Sequence, residues 1–143
     1  MDNNQIETIV ANCKHLKYKF CGVYAANKVP RLEQDCFAIV NESRDSLPGT
    51  HWLLLFRRQN NLYFADPLGF PLEMYKTVYQ RLINLYPTCP IHQIFKLKAI
   101  QPFNSKLCGL YCIYIAHVAY TSRVPFIPLL NDIELLKFAK HML

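Results

Sequence analysis

"QPFNSKLCGLYCIYIAHVAY", residues 101–120, joins a polar, turn-forming approach to a strongly apolar segment. Pro102, Asn104, Ser105 and Lys106 favour a turn. From Cys108 to about Tyr120 the residues are apolar nearly all round, the pattern of a helix buried in a core. Cys108-Gly109 stands at the seam. In the first turn of a helix, unpaired backbone N–H groups and the positive end of the dipole favour a thiolate over a thiol. Gly109 has no side chain to obstruct a substrate carbonyl. Cys112 lies one turn deeper, where packing is the expected role. Cys108 is the sulfur whose position suits a nucleophile.

A nucleophilic thiol works best beside an imidazole that takes and returns its proton, with a third group to orient the ring. Among five histidines, His15, His92, His117 and His141 lack an evident acid partner. His51 opens the apolar run "HWLLLF" (51–56), and the run "LYFADP" (62–67) ends in Asp66-Pro67. If the two runs form a hairpin in which Arg57 pairs with Asn60, His51 and Asp66 are direct opposites, about 5 Å apart at Cβ. A four-residue loop instead puts Asp66 opposite Leu53 and diagonal to His51, on the same face. Either register pairs the imidazole with the carboxylate.

The rest of the chain supplies the frame. Ile6, Ile9, Val10, Cys13 and Leu16 predict a first helix over residues 2–16. "CFAIVN" (36–41) reads as a strand, separated from "HWLLLF" by the turn "SLPG" (46–49). Pro71 opens a second helix carrying Tyr75, Val78, Tyr79, Leu82 and Tyr86, and Pro87 stops it. "FKLKAI" (95–100) alternates as a strand does. Asn131 with Glu134 three residues on forms a capping box for a last helix. The expected architecture is α+β: a small mixed sheet packed against a central buried helix that carries the nucleophile, in a single domain over residues 1–143.

At 143 residues with 52% apolar content, the chain can bury a core without staples, so its six cysteines are expected to be free thiols in a reducing compartment. Neither Cys89-x-x-His92 nor Cys108-x-x-x-Cys112 has the paired spacing of a zinc knuckle, and no metal is expected. The longest apolar run, broken by His117, is too short to cross a bilayer, and "MDNNQIETIV" is unlike a secretory signal; a soluble, intracellular monomer with no membrane contact is expected. The net charge is +6, and Lys14, Lys17, Lys19, Lys28 and Arg31 fall in a stretch without an acid. That stretch is either a polyanion-facing surface or an ordinary solvated face.

"GTHWLLLF" (49–56), "YFADPLGF" (63–70) and "QPFNSKLCGLYC" (101–112) resemble, in order and spacing, the adenovirus protease (adenain) family. More loosely they are similar to its superfamily relatives, the SUMO-specific Ulp-type cysteine proteases. The likeness covers roughly residues 20–120. It implies an adenain/Ulp-like fold with His51 as general base and Asp66 orienting it, where adenovirus enzymes typically use Glu. It further implies Cys108 as nucleophile, and Gln101 donating its side-chain amide to the oxyanion beside the backbone N–H of Cys108. Trp52, with Gly109, would line the substrate cleft. The chain ends about one helix after the Cys108 segment, which suggests a compact relative of the kind carried by virophages, polinton-type elements or other small DNA viruses.

The resemblance implies a cysteine endopeptidase cleaving viral precursor, capsid or core proteins at small-residue or glycine-containing sites, in the host nucleus or viral factory and in the virion. No cofactor is needed for the chemistry; an activating peptide and DNA are implied as regulators, and Cys89 lies near the region where such a peptide is tethered. Two other readings share these residues: a deubiquitinase- or deSUMOylase-like isopeptidase acting on host conjugates, and a non-catalytic DNA- or capsid-binding module that keeps the fold.

Overall fold

The structure is a computed structural model that describes residues 1–46, 51–121 and 130–142. The elements run α1 (Asn3–Ala11), β1 (Phe20–Tyr24), β2 (Phe37–Asn41), β3 (Trp52–Arg58), β4 (Asn61–Ala65), a 3₁₀ turn (Leu72–Met74), α2 (Lys76–Leu85), β5 (Ile91–Ile94), α3 (Cys108–Thr121) and α4 (Asp132–Met142). The sheet is mixed, in the order β1-β2-β3-β4-β5. Its three central strands are antiparallel neighbours, and each edge strand pairs parallel to the strand beside it. This is the expected α+β architecture.

Both faces of the sheet are covered, which explains why "WLLLF" is a continuous apolar run rather than an alternating one. Phe37, Ile39, Trp52, Leu54, Phe56 and Ala65 join one core with Ile6 and Val10 of α1, Leu135 and Ala139 of α4, and the interior of α3. Ala38, Val40, Leu53, Leu55, Leu62 and Phe64 join the other with Val78 and Leu82 of α2 and the connection around Val29 and Leu32. Every residue of α3 from Cys108 to Ala116 is buried. The helix is central, as its all-apolar pattern predicts.

Several boundaries differ from the expectation. The first helix stops at Ala11; Asn12 caps it, and successive turns carry Cys13 and Leu16 into the core without helical continuity. β1 escapes the sequence reading because every residue of "FCGVY" is half-buried, so no alternation marks it, and Gly22 sits where its register slips. The strand expected at 95–100 is instead Ile91–Ile94. Phe95 and Leu97 have φ of 62°, a left-handed backbone that cannot continue a ladder, and Leu97 is exposed. Pro71 opens the short 3₁₀ turn, and α2 follows from Lys76. The capping box at Asn131 and Glu134 forms as read. The turn expected at 46–49 falls, beyond Ser46, outside the described residues.

Candidate active site

The hairpin of β3 and β4 turns at Gln59 and Asn60, so paired residue numbers run as Arg58↔Asn61 and Leu54↔Ala65. Continued by one step, that register sets Asp66 opposite Leu53 and diagonal to His51, the register expected of a four-residue loop but reached here with a two-residue turn because the ladder extends to Arg58 and Asn61. The diagonal is short enough: His51 Nε2 and Asp66 Oδ1 lie 2.7 Å apart, with His51 8% exposed and Asp66 fully buried.

Asp66 is held from four directions. Besides His51, it accepts the backbone N–H of Leu68 at 2.9 Å on Oδ1 and that of Phe70 at 3.2 Å on Oδ2, and the Tyr75 hydroxyl on Oδ2. Pro67 ends the strand and turns the chain so that these amides point back at the carboxylate. Gly69 makes the turn possible. Its φ is 78°, its N–H closes onto the Asp66 carbonyl at 2.8 Å, and a Cβ there would stand 2.6–2.8 Å from the backbone of Lys98. Tyr75 is a partner that sequence periodicity hides, since it assigns this residue to the apolar face of a helix. Burial, then the bond to Asp66, hold its phenol well above the ordinary range and therefore a donor.

The Cys108 thiol and the His51 ring are electrostatically coupled, each shifting the pKa of the other. Since Asp66 occupies Nε2, the nitrogen left for sulfur is Nδ1. Burial works against charge on the imidazole, but its bonds to Asp66 and Cys108 outweigh burial and push its pKa up to about 9. Burial likewise raises the Cys108 thiol; the bond to His51, backbone bonds involving Trp52 and Gly109, and the imidazole charge reverse that and lower it. The two shifts run in the direction that favours charge on both partners. Cys108 opens α3 and is 7% exposed, so the sulfur is enclosed but not sealed. Cys112 is different: fully buried, its thiol pushed up by burial, it bonds to the Trp52 carbonyl at 3.4 Å. That contact ties the start of β3 to α3, and with them His51 to Cys108.

Gln101 stands apart from this chain of bonds. Its backbone N–H reaches the Pro67 carbonyl at 3.0 Å, its Nε2 donates to the Ser105 carbonyl at 2.9 Å, and its buried Oε1 has no partner among the described residues. Gly109 serves a purpose that sequence alone does not reveal. A Cβ there would lie 3.0 Å from Ile6 Cδ1 and 3.3 Å from Trp52 Cδ1, so the missing side chain lets α1 and the indole close onto α3. Trp52 donates Nε1–H to the Met1 carbonyl at 3.0 Å and forms one wall of a cavity of about 370 Å³ that also reaches Tyr24, Asn41 and Arg44. No cluster of three metal-ligating side chains occurs among the described residues, and no described helix is long and apolar enough to cross a membrane.

The chain is 34% identical over 89 residues to the protease of Bovine adenovirus 2, a match covering 56% of this chain and 43% of that one. Among solved structures it is similar to the ASFV pS273R protease, with a TM-score of 0.48 and 17% identity over 88% of this chain and 60% of the other. A selenomethionine crystal of the same protease gives a TM-score of 0.43 and 19% identity over 75% and 44%. The chain thus spans less than two thirds of the length of these relatives. The sequence pattern of the adenovirus endoprotease family matches residues 19–137, which include all four residues of the site, and the chain belongs to that family.

Proposed function

We propose that this protein is a cysteine endopeptidase that cleaves viral precursor or capsid proteins next to small residues such as glycine. The observation that carries the reading is the 2.7 Å contact of His51 with buried Asp66, with Cys108 coupled to the same ring, so that the imidazole pKa is pushed up and the thiol pKa pulled down. An ion pair of this kind holds a nucleophile ready at neutral pH.

In the proposed reaction the Cys108 thiolate attacks the scissile carbonyl and the carbonyl oxygen takes the negative charge. The free N–H of the Gln101 amide and the backbone N–H of Cys108 receive that oxyanion; losing one such donor costs about 2.7–4 kcal/mol of transition-state stabilisation. His51 then gives its Nδ1 proton to the leaving amine, and a thioester to Cys108 remains. Water, deprotonated by His51, attacks the thioester, and the acid product leaves with the thiolate and imidazolium restored. Asp66 keeps the ring aligned throughout. Trp52, next to His51 in the chain and anchored at its indole N–H, is assigned to the wall of the approach.

Purified protein and a Cys108→Ala variant, assayed on a fluorogenic peptide with glycines around the scissile bond, test this. Cleavage by the wild type and none by the variant is expected; equal rates would overturn it. Activity-based probes built on ubiquitin and SUMO separate the isopeptidase reading, which strong labelling of Cys108 would favour.

DNA and an activating peptide remain part of the proposal, as do action in a host nucleus or viral factory and packaging into the virion. For DNA there is a specific feature. Lys14, His15, Lys17 and Tyr18 are exposed on the turns after α1, with the Lys17 ammonium 4.9 Å from the Tyr18 ring centre. Cations beside an open aromatic suit a nucleic-acid backbone and base. Salt-dependent DNA affinity that Lys14→Ala/Lys17→Ala weakens is the expected result.

A further inference from the structure

We propose that Asp132, in the first turn of α4, is a positioning residue for the Gln101 amide, acting through Ser105. The inference rests on the reading of Gln101 as the oxyanion donor.

The Gln101 carboxamide is buried, yet only one bond in the described structure orients it, from Nε2 to the Ser105 carbonyl. Where that carbonyl sits decides where the second N–H of the amide points. The segment that carries it has little of its own to hold it still. Residues 102–107 form no regular element, their backbone closes in one turn from Ser105 N–H to the Pro102 carbonyl, and Phe103 is 81% exposed. The position of Ser105 must come from elsewhere.

It comes from α4. Ser105 Oγ donates to Asp132 Oδ1 at 2.8 Å and accepts the Leu107 N–H at 3.1 Å. The same Asp132 oxygen accepts the Tyr111 hydroxyl at 2.8 Å, and that hydroxyl also lies 3.1 Å from the Leu130 carbonyl. Tyr111 is fully buried in α3, three residues past the nucleophile. One carboxylate oxygen therefore ties the loose segment to the rigid helix that carries Cys108. Charge-assisted bonds of this type are short and directional, which suits a positioning role.

Capping does not explain the carboxylate. Asn131 Oδ1 already accepts the Glu134 N–H at 2.9 Å, and Glu134 returns toward the Asn131 N–H, so the helix terminus is served without Asp132. Asp132 is free to face the segment before the nucleophile, and two hydroxyls from two different elements converge on it. A helix that begins 24 residues after Cys108 in the chain thereby reaches back to the oxyanion donor.

The test compares kcat, KM and the rate of Cys108 alkylation by iodoacetamide, which needs the thiolate but no oxyanion donor. Gln101→Ala, Ser105→Ala, Asp132→Ala, Asp132→Asn and the double variant Gln101→Ala/Asp132→Ala are measured on the glycine-containing peptide. Gln101→Ala should lower kcat about 100- to 1,000-fold. Asp132→Ala and Ser105→Ala should each lower kcat about 10- to 100-fold, with KM within about twofold and alkylation unchanged. Asp132→Asn, which keeps the acceptor, should recover most of the loss. The double variant should be no slower than Gln101→Ala alone. If Asp132→Ala does not fold, Ser105→Ala leaves α4 and its bond to Tyr111 in place and must show the loss by itself. The proposal is overturned if Asp132→Ala and Ser105→Ala keep full kcat while Gln101→Ala does not, if their losses multiply with that of Gln101→Ala, or if alkylation falls in step with kcat. Full kcat in Gln101→Ala would instead remove the oxyanion reading beneath it, and the inference with it.

Discussion

Asp66→Asn keeps the shape of the third group and removes its charge, and its consequences can be worked through bond by bond. The carboxylate has four donors aimed at it: the His51 ring, the Leu68 and Phe70 amides and the Tyr75 hydroxyl. An asparagine that keeps its oxygen toward His51 and Leu68 turns its NH₂ on the Phe70 N–H. Tyr75 can rotate to accept, but a backbone amide cannot, and a buried donor left without an acceptor costs about 1–3 kcal/mol. The second loss is electrostatic. Raising the His51 pKa from 6.5 to about 9 corresponds to roughly 3 kcal/mol. Asp66 and Cys108 share that effect and must also offset the opposing cost of burial, so the part due to Asp66 is at least about 1–2 kcal/mol. A histidine whose pKa is raised on folding stabilises the fold fully below about 6.5, progressively less as pH rises toward 9, and not at all above it. Asp66→Asn should therefore destabilise by about 2–5 kcal/mol at pH 6 but only about 1–3 kcal/mol at pH 10. In thermal unfolding at the two pH values, the gap in Tm between wild type and variant should shrink by about 3–6 °C. The same change releases the Cys108 thiol toward its ordinary value, so iodoacetamide alkylation at pH 6 should slow by about tenfold or more. A Tm gap equal at both pH values, with alkylation at pH 6 unaltered, would refute the ion-pair argument.

Three other substitutions probe the frame around the site. Tyr75→Phe removes one donor from Asp66, which strengthens the remaining bond to His51; the alkaline limb of the kcat profile should move above about pH 9 while stability falls by about 1–3 kcal/mol, and an unmoved limb would deny Tyr75 any electrostatic role. Gly69→Ala must hold φ near 78° and place a methyl against the Lys98 backbone, which cannot yield as a side chain can; a loss above about 2 kcal/mol is expected by chemical denaturation, and a wild-type midpoint would contradict the packing. Gly109→Ala crowds Ile6 Cδ1, so about 1–3 kcal/mol should be lost and much of it regained with Ile6→Val, which removes that methyl; no regain would place the strain elsewhere.

The site was legible in the sequence where chemistry and regular geometry coincide. A strand has period two, so placing His51 and Asp66 on one face needed only the hairpin, and both plausible registers gave that answer. The place of Cys108 at the start of α3 was legible because an all-apolar helix has a definable mouth. Geometry that depends on irregular backbone was not. The strand expected at "FKLKAI" mistakes lysine alternation for pleating, although two residues there have left-handed φ; the true strand, "IHQI", is half polar because it lies at the sheet edge. The Tyr75 and Ser105 hydroxyls reach the carboxylates of Asp66 and Asp132 across 9 and 27 positions, and no periodicity records such contacts. Gly109 was expected to leave room for a substrate carbonyl; the close approach of Ile6 and Trp52 to its missing side chain is a packing role that no sequence pattern records.

The Pro67 carbonyl accepts two amides, from Ile100 at 2.8 Å and Gln101 at 3.0 Å. The loop that carries the acid and the segment that carries the glutamine are thus bolted to a single atom, and neither can drift without dragging the other. A substitution that disturbs the Pro67 carbonyl would therefore unsettle the acid and the glutamine together, whichever of the two it was meant to probe.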